Sequence, residues 1–227
     1  MRPRPFARTV ALHSLGWLVA ANLVGLWMAV SLIWPAVGDW LAPLTFGRWT
    51  PLHLNWQLYG WCALPVAGAL LAWCLDDTHP RIHLHAALVL GAWSLALAFG
   101  GAAWLAGDVS GKLFLDWHGW SRPLLPLAQL GLWVMLVLHT RRRWASLSRG
   151  GRMGRVALLS ALLAVPGVIH FATSRAVYHP INPDSGGATG AAILGSVIGI
   201  MGIFMLLPRL LGVPMRTASR GIGWTLA

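Results

Sequence analysis

Long apolar runs, separated by short polar stretches, repeat along the chain. Six of them are long enough to cross about 30 Å of hydrocarbon at about 1.5 Å of rise per residue. They cover about 10–34, 53–75, 84–105, 123–140, 156–173 and 188–211. The pattern predicts an all-α polytopic membrane protein with six transmembrane helices, forming a single transmembrane domain over residues 1–227. No soluble domain and no internal repeat stands out. The first run is too long for a signal-peptide core and lacks a small-residue cleavage pattern, so it is read as a helix.

Composition sharpens this picture. Hydrophobic residues make up 57% of the chain and charged residues 10%, against about 25% charged in an average soluble domain. That excludes a soluble enzyme, a disordered chain and a disulfide scaffold. All six acids are Asp, at 39, 76, 77, 108, 116 and 184, with no Glu, and the bases are sixteen Arg and Lys112. In a soluble protein a net charge of +11 would suggest nucleic acid. Here it implies basic loops facing anionic lipid, with no nucleic-acid partner. With the N-terminus in the cytoplasm, thirteen bases fall on inner segments, and four (Arg48, Lys112, Arg122 and Arg175) fall on outer loops. That asymmetry and the even helix number put both termini in the cytoplasm, as in a multi-pass protein of a bacterial inner membrane.

Fifteen Trp are present, many at predicted helix ends: Trp34, Trp40, Trp49, Trp56, Trp104, Trp117, Trp120 and Trp144. They are expected to form an interfacial aromatic belt. Cys62 and Cys74 lie twelve residues apart on one predicted helix, too far to bridge, and read as buried small hydrophobes. The run from His79 to His85 suggests a metal tract, but Pro80 breaks the helix and nothing fixes a coordination geometry, so a solvated cytoplasmic loop is the better account. His139, beside Arg141 to Arg143, reads as part of the basic inner edge.

His53 and His170 fall just inside the outer ends of their predicted helices, where a polar side chain in hydrocarbon is costly and tends to mark function. Pro51 can open the second helix, because its missing N–H is one of the unpaired donors there. His53 then lies in the first turn. Gln57, Gly60, Leu64 and Ala67 or Gly68 follow down the same face. Small residues below an imidazole leave a flat slot of the kind a porphyrin occupies. Arg48 offers a planar fork to haem propionates. A buried, hydrogen-bonded histidine accounts for the same residues.

The stretch Leu44-Thr45-Phe46-Gly47-Arg48-Trp49-Thr50-Pro51-Leu52-His53-Leu54-Asn55 resembles the start of the second transmembrane helix in the catalytic subunit of cbb3-type haem–copper oxidases and their nitric oxide reductase relatives. The family pattern is L-T-x-G-R-x-R-P-L-H-x-N. The resemblance implies that His53 is an axial ligand of a low-spin haem b near the outer face. The chain departs from the family in being far shorter, in having no His in its sixth apolar run, and in lacking any His-His pair. The family's copper site and second axial ligand come from later helices. A partner membrane subunit would therefore supply them, with cytochrome c on the outer face as electron donor.

Two outer loops complete the reading. The loop at 174–190 is rich in turn formers and suits a compact turn with Asp184 or Ser185 capping the next helix. It also places Arg175 and His179 near a haem edge. The loop at 107–123 suits an interfacial segment, with Arg122 as a further propionate candidate. In the sixth run, Gly195, Gly199 and Gly202 allow close helix approach. Walker, HExxH and Ser-nucleophile motifs are absent. Three functions remain open: a cbb3-like oxidase subunit holding low-spin haem b through His53, a self-contained quinol-linked b-type cytochrome using His53 and His170, or a cofactor-free structural or assembly subunit.

Overall fold

The computed structural model describes residues 6–75, 79–112, 114–174 and 208–213. The described residues are helical, without strands. Five helices are each long and apolar enough to cross a membrane: α1 (Ala7–Ile33), α2 (Phe46–Cys74), α3 (Ile82–Leu105), α4 (Leu124–Arg142) and α5 (Arg149–Ala172). The chain is a multi-pass membrane protein. The expected sixth span at 188–211 lies outside the described residues except for its last four, Pro208 to Leu211.

Each helix boundary has a local cause. Pro51 does not open α2. The helix starts at Phe46, after an extended Thr45 whose carbonyl accepts from Arg48 N–H at 2.9 Å. Pro51 instead sits in the second turn, where its missing N–H leaves the Gly47 carbonyl without a helical donor. α5 begins seven residues before its apolar run, because the Ser148 hydroxyl accepts from Gly151 N–H at 3.1 Å. Arg149, Arg152 and Arg155 therefore stand on a helix rather than in a loop.

The core lies between α2, α3 and α4, with Leu52, Leu64, Leu71, Leu90, Leu97 and Leu136 buried. α1 lies along α2, and α5 along α4. The outward faces of α1 and α5 are apolar and exposed, as lipid-facing surfaces are (Leu12, Val19, Leu23, Val156, Val168). Small residues allow the close approach of α1 to α2. A methyl group built on Gly60 would lie 2.5 Å from Trp17 Cβ, and one on Gly68 would lie 2.7 Å from Val10.

In the middle of α2, residues Trp56–Cys62 widen into a π-helical segment. Such a segment loosens backbone carbonyls from the helical ladder, and neighbouring helices satisfy two of them. Trp93 of α3 donates its indole N–H to Tyr59 O at 2.9 Å, and Ser14 of α1 donates its hydroxyl to Trp61 O at 3.0 Å.

The tryptophans divide. Trp34, Trp40, Trp120 and Trp144 are exposed at helix ends, as an aromatic belt requires. Trp104 and Trp117 are fully buried, a correction to the belt reading. They stack edge to face at 5.0 Å, and Trp104 donates to the Asp116 carbonyl. Cys62 and Cys74 are free and buried, as expected.

Candidate functional site

His53 occupies the second turn of α2 and faces α1. Its Nδ1 lies 2.8 Å from the Ala21 carbonyl of α1. A carbonyl can only accept, so Nδ1 carries the proton and Nε2 carries the lone pair. The ring lies against Gly25, one turn further along α1, where an added Cβ would fall 2.6 Å from His53 Cε1. Ala21 and Gly25 are thus a small-residue pair that lets an imidazole lie between two helices. The spacing of these two residues was the one sequence signal that could have named them as partners of His53.

Metal-ligating histidines commonly donate their second ring N–H to a backbone carbonyl, which fixes tautomer and orientation. His53 is held in that way. The slot inferred below it is filled, however. The face running through Gly60, Leu64 and Gly68 packs on Trp17 and Val10 of α1, and Leu64 and Ala67 are buried there. Gln57 is engaged too, donating from Nε2 to Asn22 Oδ1 at 2.7 Å. For an iron porphyrin, the imidazole fits as one axial ligand, but the glycine face does not fit as a cradle for the macrocycle.

The other candidates are dispersed. Arg48 donates from one guanidinium nitrogen to Leu105 O at 2.8 Å, at the C-terminal end of α3. Arg122 donates to His170 O at 2.6 Å and 3.2 Å and to Thr173 Oγ1 at 3.3 Å, at the C-terminal end of α5. His170 is exposed on α5, a helix that packs on α4, and its ring is not brought to His53. Arg175 and His179, with the rest of the loop at 175–190, lie outside the described residues.

Five of the described cations close helix C-termini, a role the sequence did not reveal. Besides Arg48 and Arg122, Arg143 donates to Leu75 O at 3.0 Å and Arg155 to Trp73 O at 2.7 Å, both at the end of α2. Lys112 donates to Ala172 O at 3.1 Å and Ser174 O at 2.6 Å. The last carbonyls of a helix have no intrahelical donor and sit at the negative end of its dipole. A chain with seventeen bases and six acids has cations to spare for them.

The loop between α3 and α4 is therefore more than an interfacial strap. Lys112 and Asp116 are buried in it, with Lys112 only 1% exposed. The Asp116 carboxylate accepts from Ser110 N–H, Ser110 Oγ and Lys112 N–H at 3.1–3.3 Å. Burial raises the Asp116 carboxyl to about 6, against the opposing pull of those hydrogen bonds. Burial, followed by the nearby Arg122, lowers the Lys112 ammonium, while Asp116 pulls it the other way.

At the opposite end of the bundle, the expected solvated loop and basic edge are replaced by a histidine cluster. His85 Nδ1 lies 2.9 Å from His139 Nε2, and the rings of His79, His85 and His139 are 4.9–5.4 Å apart. His139 is 1% exposed, because α3 begins at Ile82 and turns His85 inward onto α4. The Arg142 guanidinium contacts His79 Nε2. Among the described residues no group of three or more His, Cys, Asp or Glu has the geometry to hold a metal ion.

A further space lies away from both clusters. A cleft of about 280 Å³ opens between α2, α3, α4 and α5, lined by Tyr59, Trp93, Leu132 and Trp133 among others, with the Gln129 amide in its wall. No family model matches the chain, and neither a curated protein nor a solved structure matches it.

Proposed function

We propose that the chain is a membrane subunit of a cbb3-like haem–copper oxidase complex of a bacterial inner membrane, contributing one imidazole, His53, to a low-spin haem b shared with another subunit. The observation that carries the reading is the Nδ1 hydrogen bond to Ala21 O, which leaves the Nε2 lone pair free for iron. The motif from Leu44 to Asn55 supports it from the sequence side. On this reading a partner subunit would supply most contacts to the macrocycle, the other haem ligand and the copper site. Bound haem b would supply one-electron transfer. The chain's own part is to hold the tautomer and direction of one ring. Arg48 stands a turn and a half before His53 on the same helix, with its guanidinium turned toward the end of α3. Cytochrome c is the expected donor.

The same filled face favours a second reading, a cofactor-free structural subunit in which His53 ties α2 to α1. One experiment separates the two. A tagged copy is expressed in its native membrane, the assembled complex is isolated, and reduced-minus-oxidised spectra are recorded for the unaltered chain and for His53→Ala. The redox reading expects loss of the b-type band on substitution, with the partner subunits still co-purifying. Equal haem per chain in both preparations refutes it and leaves the structural reading.

A further inference from the structure

The cleft between α2 and α5 is built for a ligand that is apolar but not purely so. Its wall is hydrocarbon and aromatic, with Tyr59, Trp93, Leu132, Trp133 and Leu136 among the lining residues. Its aromatic polar groups are already engaged. Tyr59 donates its hydroxyl to Phe114 O at 2.8 Å, Trp93 donates to Tyr59 O at 2.9 Å, and Trp133 donates to Leu159 O at 2.8 Å.

Gln129 is the exception. It stands in the second turn of α4, is 9% exposed, and its Oε1 is buried with no hydrogen-bond partner. A bare amide oxygen in an apolar surround is destabilising. A leucine at this position would fill the same wall without that cost. An amide with an unpartnered, buried oxygen in the wall of an aromatic-lined cleft can gain a hydrogen bond by turning toward a ligand there.

We infer that this cleft binds the ring of a lipid-soluble quinone or quinol, with the Gln129 amide as its polar contact. The amide suits both redox forms: Nε2 donates to a quinone carbonyl, and Oε1 accepts from a quinol hydroxyl after rotation about the terminal torsion. The flat faces of Trp93 and Trp133 suit a flat ring. A saturated acyl chain would fill the space but leave the amide unpaired. The volume accommodates a ring head group, and the cleft lies between membrane-spanning helices, where a lipid-soluble molecule arrives by lateral diffusion. The inference does not rest on haem at His53 and holds for a chain without cofactor.

The test uses the purified full chain in lipid nanodiscs, titrated with decyl-ubiquinone while tryptophan fluorescence is followed. Saturable quenching is expected, weakened about tenfold in Gln129→Leu, the loss of one buried hydrogen bond. Gln129→Leu replaces a buried amide with a hydrocarbon of similar size, so its fold is expected to survive, and size-exclusion and circular dichroism check that. Leu132→Trp, which fills the cleft one turn further along α4, should abolish saturation. Decylbenzene, a ring without oxygens, should compete weakly. Quenching that never saturates, equal affinity in Gln129→Leu, or equal competition by decylbenzene would each overturn the inference. The last of these would show a hydrophobic void filled without recognition.

Discussion

At the scale of single residues, glycines and buried polar groups decide most. Gly60→Ala puts a methyl group 2.5 Å from Trp17 Cβ, close to the backbone of α1, where no rotamer change relieves it. We expect a loss of about 1–3 kcal/mol in stability, read as a lower midpoint of thermal unfolding. Gly16 has nothing within 4 Å of the same position, so Gly16→Ala is the control and should leave the midpoint unchanged or slightly higher. Asp116 makes a pH prediction. Its folded pKa, about 6, is above its ordinary 3.8. The protonated form is therefore favoured in the folded loop. Its stabilising contribution is complete below the ordinary value and is lost as pH rises through about 6. Asp116→Asn should flatten that slope, measured as hydrogen exchange of the 107–118 backbone across the same range. His53 was legible at this scale as a polar residue near a helix end with a motif around it. Gln129 was not, because one Gln in an apolar helix has no sequence signature. Its meaning comes from which helices surround it.

Among elements, the cations deserve the most weight. Read along the chain, they sort by the side of the membrane they occupy. In the structure, five of them terminate helices as well. Lys112 and Arg122 hold the end of α5, and Arg155 and Arg143 hold the end of α2. Lys112→Met and Arg122→Leu together should free the last turn of α5, at a cost of about 1.5–3 kcal/mol per charged hydrogen bond lost. The expected readout is faster proteolysis or hydrogen exchange confined to 169–174, with α2 and α3 unchanged. The apolar runs gave helix existence for the described spans. They misplaced the starts of α2 and α5, because Thr45 and Ser148 set those ends and neither belongs to an apolar run.

For the whole molecule, the central question is which side each end of the bundle faces. The charge asymmetry read from the sequence carries the expectation that Ala145 and its neighbours face the cytoplasm and Ala42 the outside. Both native cysteines are buried and give little background. A membrane-impermeant maleimide should therefore label Ala42→Cys in intact cells and Ala145→Cys only after lysis; the reverse pattern would invert the topology and place His53 near the cytoplasm.

Hydropathy and charge are local sums, so the sequence alone determined that this is a multi-pass helical membrane protein and roughly where its spans lie. The histidine that carries the proposed ligand was also visible there, through a short motif. Only the tertiary structure decided what that histidine touches. Helical periodicity shows which residues share a face but not which neighbour meets it. That choice closed the glycine slot with α1, turned His85 onto a buried His139, sent Arg48 and Arg122 to helix carbonyls, and left Gln129 unpaired in a cleft. These outcomes depend on contacts between residues far apart in the chain, where no local pattern reaches.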